Sequence, residues 1–572
     1  MNQRIQLASV DDQINATARE AVRQRISWPV NLTPANVTYH SRGHALLVGN
    51  AHEVSQAALA LQGRGLASLT LLTTDTALDL SAASEPLICQ TLTHTQQTQL
   101  RITGYLGAFQ VDVVLDDNGT LNLAQALIER DAFDVVLDLT PASVLSNSSS
   151  WEIPPPGYVR LNWMAQEAQR GEILESIVEL VGEFDKPRYF QVNSDICAHS
   201  ASGNVGCTRC LDVCPADAIS SVQGRIESRI EIDPFLCQGV GSCTSACPTG
   251  AIEFRLPETR RQQDTLATWL AAYREAGGQV PVMRFITHDC LDAERNADVV
   301  TPGHLLDVPL EELGAAGHDQ WLTALANGAA EVRIQLHDDM PPRLTAFIAH
   351  QIAQAHVLLE ALGHDTSRVK LLKPEQVEER DALPNLMPLI GTALTFTEPY
   401  KRARFNQVLA TLAALGAPSN DRHVMPKGSA YGGIQVDREA CTLCHACVSN
   451  CPTPALKSGG DTPALSFLEA DCVQCGLCEQ ACPEDAITLL PGFLAASDRD
   501  TRHICHEEAA FECIGCGKPF ATASTIATIK AKLADHPYFA GDALARLEMC
   551  EDCRVKDVWK TMIRDPDAQL KV

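Results

Sequence analysis

Eight cysteines between residues 441 and 482 leave this chain little freedom. They run Cys441-x2-Cys444-x2-Cys447-x3-Cys451-Pro452 and, with 20 residues separating Cys451 from Cys472, Cys472-x2-Cys475-x2-Cys478-x3-Cys482-Pro483. An iron–sulfur cluster needs thiolates at short, fixed steps. Three on one tight loop reach three irons of a cube, and the fourth, before a proline, reaches across to the other cube. The spacing pairs Cys441, Cys444, Cys447 and Cys482 on one [4Fe-4S] cluster and Cys472, Cys475, Cys478 and Cys451 on a second. Two structural zinc sites are the alternative use of eight thiols.

Over about 60 residues this stretch resembles a bacterial two-cluster ferredoxin, with every motif position filled. The resemblance implies a βαββαβ module in which each helix follows a Cys-Pro. The signature also recurs within the chain. Cys-Pro-x-x-Ala-[Ile/Leu] begins at Cys214, Cys247, Cys451 and Cys482. An alternating strand, an Asp or Asn, and a cysteine four residues later end at Cys197, Cys237 and Cys441; the segment ending at Cys472 has the same shape without the acid.

Aligning the chain with itself assigns the earlier cysteines. Cys197, Cys207, Cys210 and Cys214 are the first to fourth of one motif, its first spacing grown from x2 to x9 by a Ser- and Gly-rich loop, HSASGNVG. Cys237, Cys243 and Cys247 are the first, third and fourth of the next, and Val240 stands where the second belongs. Cross-ligation places Cys197, Cys207, Cys210 and Cys247 on a [4Fe-4S] cluster and leaves Cys214, Cys237 and Cys243 on an incomplete one. That site is similar to those of seven-iron ferredoxins, which implies [3Fe-4S]. A [4Fe-4S] cluster with a non-protein or distant ligand, and an empty site, stay open. The chain thus carries three [4Fe-4S] clusters, or four.

At 572 residues the chain is too long for one core, so several domains are expected. Its 22 cysteines cluster in Cys-x2-Cys steps, which means metal sites rather than disulfides and a reducing compartment. The absence of a long apolar run predicts a soluble, cytoplasmic protein without membrane insertion. A net charge of −26 argues against nucleic acid.

Residues 1–184 read as a degenerate Rossmann-like α/β domain. Strands are expected at Ala45–Gly49, Leu69–Thr74 and Asp134–Thr140, and a helix at His52–Leu61. Of a Gly-x-Gly-x-x-Gly loop only Gly49 remains, with Ala51 and Val54 at the other positions, and Asp75 stands where a ribose-binding acid could sit. Flavin or nicotinamide binding and a docking scaffold are the two readings. Cys89 is expected to be a buried thiol, 146–158 a Ser- and Pro-rich linker, and Glu172–Phe184 an amphipathic helix.

Residues 185–258 form ferredoxin module 1, 259–378 an α/β insert, 379–430 a helical linker with a helix over Tyr400–Leu415, and 431–492 ferredoxin module 2. The insert is expected to have strands at Val282–Thr287, His304–Val308, Glu331–Leu336 and Val369–Leu372. The segment from Leu306 to Asp339 and the later ALGHDTSRVKLL make it similar to the small iron–sulfur subunit of methyl-viologen-reducing hydrogenases. That family binds a [2Fe-2S] cluster through four cysteines. Here only Cys290 remains, with His337 and Asp338 at expected cysteine positions, so no cluster is expected. His288-Asp289-Cys290 reads as a packed strand end.

In 493–572, Cys513-x2-Cys516 and Cys550-x2-Cys553 are separated by 33 residues. Four thiolates in paired turns suit tetrahedral zinc in a zinc-ribbon-like domain; a further iron–sulfur cluster or no metal are the alternatives. Cys505, between His503 and His506, is an alternative ligand.

The fold class is therefore α/β and α+β multidomain: two ferredoxin modules, two Rossmann-like α/β domains and a zinc-ribbon-like segment. No catalytic residues are assigned. The domain order resembles the multi-cluster ferredoxin-type proteins encoded with bacterial formate dehydrogenases, which implies an electron carrier with redox protein partners, a dehydrogenase or reductase. An electron-transferring subunit of a flavin-dependent heterodisulfide-reductase or hydrogenase-like complex, and a metalloenzyme assembly or docking factor, are the alternatives.

Overall fold

The computed structural model describes residues 12–29, 35–76, 78–92, 100–114, 119–141, 151–164, 166–201, 204–224, 228–254, 259–389, 394–459, 462–539 and 542–564. The first part of the linker expected over 146–158 and two residues of the x9 loop lie outside them.

The N-terminal domain is built on a five-stranded parallel sheet. Its spatial order is Ile88–Thr91, Ser68–Thr73, His44–Gly49, Val135–Asp138, Tyr158–Arg160. Alternate residues of the central strand enter two separate cores, Ala45 and Leu47 on one face and Leu46 and Val48 on the other. A strand buried on both faces needs such an unbroken apolar run. Helices Ala51–Leu61 and Arg170–Glu179 cover one face. The other is covered by an antiparallel three-stranded sheet, Arg101–Thr103, Gln110–Val114 and Thr120–Asn122, with helix Leu123–Ile128.

Two expectations are corrected here. The helix read over Glu172–Phe184 stops at Glu179; Gly182, at φ +143°, opens strand Gly182–Pro187, which pairs with Asn36–Ser41. Cys89 is exposed, because its strand lies at the edge of the sheet.

The insert has a four-stranded parallel sheet in the order Leu305–Leu310, Val282–Thr287, Glu331–Gln335, Val369–Leu372. The run His288-Asp289-Cys290 opens helix His288–Asn296, with the Thr287 hydroxyl accepting the Cys290 N–H. Two further pieces join this core. Helix Asp12–Arg25 lies against helix Thr259–Glu275, with Trp28 and Trp269 rings 5.3 Å apart and Arg23 paired to Asp307 at 3.1 Å. Helix Lys401–Leu415, in the stretch read as a linker, buries Phe405, Val408, Leu409 and Leu412 there.

The insert is also a hub. Val240 and Ala246 of module 1 and Tyr431 and Phe493 of module 2 belong to its apolar core. Lys401 donates to the Thr244 and Ser245 carbonyls of module 1. Its neighbour Arg402 donates to the Ala470 and Cys472 carbonyls of module 2 and stacks on Tyr431. Adjacent residues on one helix thus hold both modules.

Each module pairs its first and last strands, Phe190–Val192 with Ile252–Phe254 and Gly432–Val436 with Ile487–Pro491. Between them lie a hairpin (Ile219–Gln223 with Ser228–Ile232, or Leu456–Ser458 with Ala464–Phe467) and two short helices. These helices, Arg209–Asp212, Ser242–Ala246, Ala446–Ser449 and Leu477–Gln480, carry the third cysteine of each motif and precede the Cys-Pro. The expectation that a helix follows each Cys-Pro is therefore corrected. The residue before a proline is disfavoured in helical conformation, so the turn ends there.

Candidate metal centres

The strand-to-cysteine turn shows why the motif carries Asp or Asn. Asn193 accepts the Asp195 N–H, Asp233 those of Phe235 and Leu236, and Asp437 those of Glu439 and Ala440. Such Asx turns reverse the chain so that the first cysteine faces inward. The Cys-x2-Cys-x2-Cys loops then wind through left-handed backbone on either side of the second position. Leu443 and His445 flank Cys444 at φ +53° and +58°, and Gln474 and Gly476 flank Cys475 at +50° and +82°. Gly239 and Gly241 flank Val240 at +78° and +82°. The loop that lacks its second cysteine keeps the same winding.

The thiols converge in groups. One cavity is lined by Cys441, Cys444, Cys447 and Cys482, and another by Cys451, Cys472, Cys475 and Cys478. In module 1 burial pushes the Cys210 thiol above its ordinary range, and Cys247, Cys207 and Cys197 push it further. Burial likewise raises Cys243, with Cys237 and Cys214 its strongest charged neighbours. Cys237 is pushed up to about 11, Cys447 to about 12 and Cys475 to about 11, each mainly by burial. Thiols in such a setting become thiolates only beside compensating positive charge, which iron supplies.

Donors aimed at sulfur complete the fit. The first cysteine of every motif accepts a backbone N–H two residues on, from His199, Gly239, Leu443 and Gln474. Cys214 and Cys482 accept from Ala218 and Ala486, the alanines of Cys-Pro-x-x-Ala, at 3.4 and 3.2 Å. Cys247 and Cys451 instead face the hydroxyls of Thr249 and Thr453. Arg209 reaches Cys207 Sγ at 3.3 Å and Gln474 reaches Cys472 Sγ at 3.4 Å. Sequence reasoning missed these; the Thr shared by CPTG and CPTP was the available signal.

Neighbouring sites adjoin through pairs of thiols. Cys243 senses Cys210 within module 1, and Cys478 senses Cys447 within module 2. Between modules, Cys475 senses Cys207. The x9 loop makes that junction. Gly206 is so close to Leu477 that a Cβ would lie 2.8 Å from its Cγ, and Gln480 donates to Val205 O. Arg209 also donates to Gln474 O across the modules.

The Val240 corner is covered. Val240 is buried, and a Cβ on Gly241 would lie 2.6 Å from Ala315 of the insert. Lys186, on the strand that pairs with Asn36–Ser41, donates to Phe235 O and Cys237 O, and Tyr105 of the N-terminal domain stacks on Phe235 at 4.5 Å.

In the C-terminal region the ligand atoms of Cys513, Cys516, Cys550 and Cys553 lie within 4.8 Å of one another. Cys513 and Cys516 form a knuckle after strand Ala510–Glu512, with Gly517 at φ +73°. Cys550 and Cys553 stand at the start of helix Glu551–Arg564 rather than on the second hairpin a zinc ribbon would have. Burial pushes the Cys513 thiol up, but N–H groups of Cys550, Gly515 and Cys516 outweigh it and bring it down to about 6. A thiolate is thus ready for a metal at neutral pH. Cys505 lies apart from this group, in strand His503–Glu507 of module 2, where its nearest thiol neighbour is Cys441. His503 is bonded to Asp498 O and His506 to Glu508.

Beyond the ends of the central strand of the N-terminal sheet and its neighbour Ser68–Thr73, Asn50 and Asp75 bond to the start of the helix that follows the central strand. Asn50 caps helix Ala51–Leu61 by accepting the Glu53 N–H, and Asp75 accepts the Ala51 N–H.

Residues 205–251 and 440–487 each match the 4Fe-4S dicluster domain family. NADH-quinone oxidoreductase subunit I 2 of Streptomyces coelicolor is 32% identical over 94 residues, 13% of this chain and 47% of that subunit. The chain thus spans about half the length of that relative. An uncharacterized ferredoxin of Methanocaldococcus jannaschii is 33% identical over 60 residues, 10% of this chain and 95% of that protein.

Proposed function

Because the chain belongs to the ferredoxins built on 4Fe-4S dicluster domains, we propose that it is an electron relay whose two modules act as a single wire. The observation that carries this is the junction at the x9 loop, which sets Cys207 beside Cys475. Without it the chain would hold two separate ferredoxins.

In this reading Cys197, Cys207, Cys210 and Cys247 hold one [4Fe-4S] cluster. Cys472, Cys475, Cys478 and Cys451 hold the next, and Cys441, Cys444, Cys447 and Cys482 the third. Cys214, Cys237 and Cys243 hold [3Fe-4S]: the loop keeps its winding around Val240, and Ala315 covers the corner where another ligand would enter. Each cluster, when bound, takes up or releases one electron at a time. The N–H groups and hydroxyls on the sulfurs set the potentials. Cys513, Cys516, Cys550 and Cys553 hold zinc with a structural role, since four thiolates leave no open position.

The wire has two ends. At one, the Cys237 loop is contacted by the N-terminal domain, so a partner docked on that domain meets the Val240 site. At the other, Cys444 is exposed. The partners are a dehydrogenase or reductase and a second carrier, formate dehydrogenase being the first candidate, in the cytoplasm. Among the described residues no helix is long and apolar enough to cross a membrane.

The test is metal and sulfide content with EPR on anaerobically purified protein. The reading expects about 15 irons and one zinc per chain and a signal in the oxidised state from [3Fe-4S]. About 8 irons, with one module empty, would break the wire.

A further inference from the structure

A cavity of about 310 Å³ lies where module 1, the insert and module 2 meet. Cys247 and Pro248 form part of its wall. Its size is that of small-molecule sites, about 300–1,000 Å³. Five basic side chains and two acidic ones line it, in a chain whose net charge is −26.

Most of the basic groups are occupied in holding the modules together, as with Lys401 on the Thr244 and Ser245 carbonyls. Two charged groups keep binding capacity: Asp319, held at its Oδ2 only by the ion pair to Lys401, and Lys427. Asp319 is only 3% exposed, yet among the described residues its Oδ2 accepts no hydrogen bond; Lys401 Nζ stands 3.5 Å away. A buried carboxylate oxygen left without a donor costs stability. Lys427 is exposed and, among the described residues, makes no ion pair. The wall also includes the buried rings of Phe347 and Phe405.

We propose that this cavity binds a phosphorylated heteroaromatic of mononucleotide size. A ring N–H donates to Asp319, the ring packs on Phe347 and Phe405, and the phosphate meets Lys427. Each half of the site excludes simpler ligands. An inorganic anion leaves Asp319 without a donor and the rings unpacked, and a neutral ring leaves Lys427 unused. The ring would lie against Cys247, so the inference rests on the reading that Cys247 holds a cluster for its effect on electron transfer, though not for binding.

The experiment titrates full-length, anaerobically purified protein with flavin mononucleotide and with AMP, using riboflavin and adenosine as forms without phosphate. Binding is read by equilibrium dialysis, and iron content and EPR are taken on the same samples. At least one phosphorylated ring binds, and its unphosphorylated form binds roughly tenfold or more weakly. Asp319→Asn and the surface change Lys427→Glu each weaken binding roughly tenfold. Bound ligand changes the EPR line shape of the cluster at Cys247. With iron content normal, failure of both nucleotides to bind overturns the inference, as does binding that neither variant weakens. Low iron with nucleotide binding intact would count against the relay and leave this site standing.

Discussion

Replacing Val240 with cysteine restores the missing position of the second motif. Val240 is buried, and its neighbours Gly239 and Gly241 lie in the left-handed region, as Gln474 and Gly476 do around Cys475. The backbone on either side of 240 is thus of the kind that carries a second cysteine in the other module. Exchanging valine for cysteine removes about one methyl group of packing, which costs about 1 kcal/mol. That is within what a folded chain of this size tolerates. The gain is a fourth thiolate on a site already framed by Cys214, Cys237 and Cys243. Iron content should rise by about one atom per chain, and the oxidised-state EPR signal should give way to a signal seen only after reduction. Anaerobic iron and sulfide assays with EPR decide it. Unchanged iron and no oxidised-state signal in either protein would refute the reasoning, because the loop would then keep its winding without a cluster.

Other expectations are more local. Arg402→Met leaves the Cys472 carbonyl without its side-chain donor, while Asn406 still donates to Ala470 O; at about 1–3 kcal/mol for one buried group left unpaired, denaturation should show a loss of about 1–3 kcal/mol. His318, buried between Gln351 and the Tyr431 hydroxyl, is brought down from 6.5 to about 4, chiefly by burial. The unfolded chain takes up this proton first, so the contribution is complete above pH 6.5 and fades as pH falls toward 4. Between pH 7.5 and 5.5 the loss is about 1.4 kcal/mol, and His318→Gln should flatten that slope in denaturant titrations. Cys550→Ser should release the metal held by the four C-terminal thiols while leaving iron in the two modules unchanged, as read by metal analysis; a parallel loss of module iron would mean that the centres are coupled.

What the sequence made legible followed from short-range rules. Cysteine spacing and the internal repeat marked the two 4Fe-4S dicluster modules, and apolar runs located the four strands of the insert to within two residues at each end. The strand His44–Gly49 was visible because burial on both faces demands an unbroken apolar stretch. What escaped was set by distant partners. The four-residue helices carrying Cys210, Cys447 and Cys478 are too short to show a period. Cys89 read as buried because nothing local marks a strand as the edge of its sheet. The x9 spacing read as a tolerated bulge, although its Val205 and Gly206 meet Gln480 and Leu477 of the other module. Asp75 stood where a ribose acid could sit, and only the fold reveals that it accepts the Ala51 N–H at the start of the helix.

The pairing of helix Asp12–Arg25 with helix Thr259–Glu275 has a consequence for how the protein is made. A ribosome adds about 5–20 residues per second. The first helix therefore waits about 10–50 seconds for the segment that buries Ala18 and Val22. During that interval module 1 emerges between the two helices, before the insert that covers Val240 exists. Its cysteines are then open to whatever delivers iron and sulfide, and synthesis of the insert closes that opportunity.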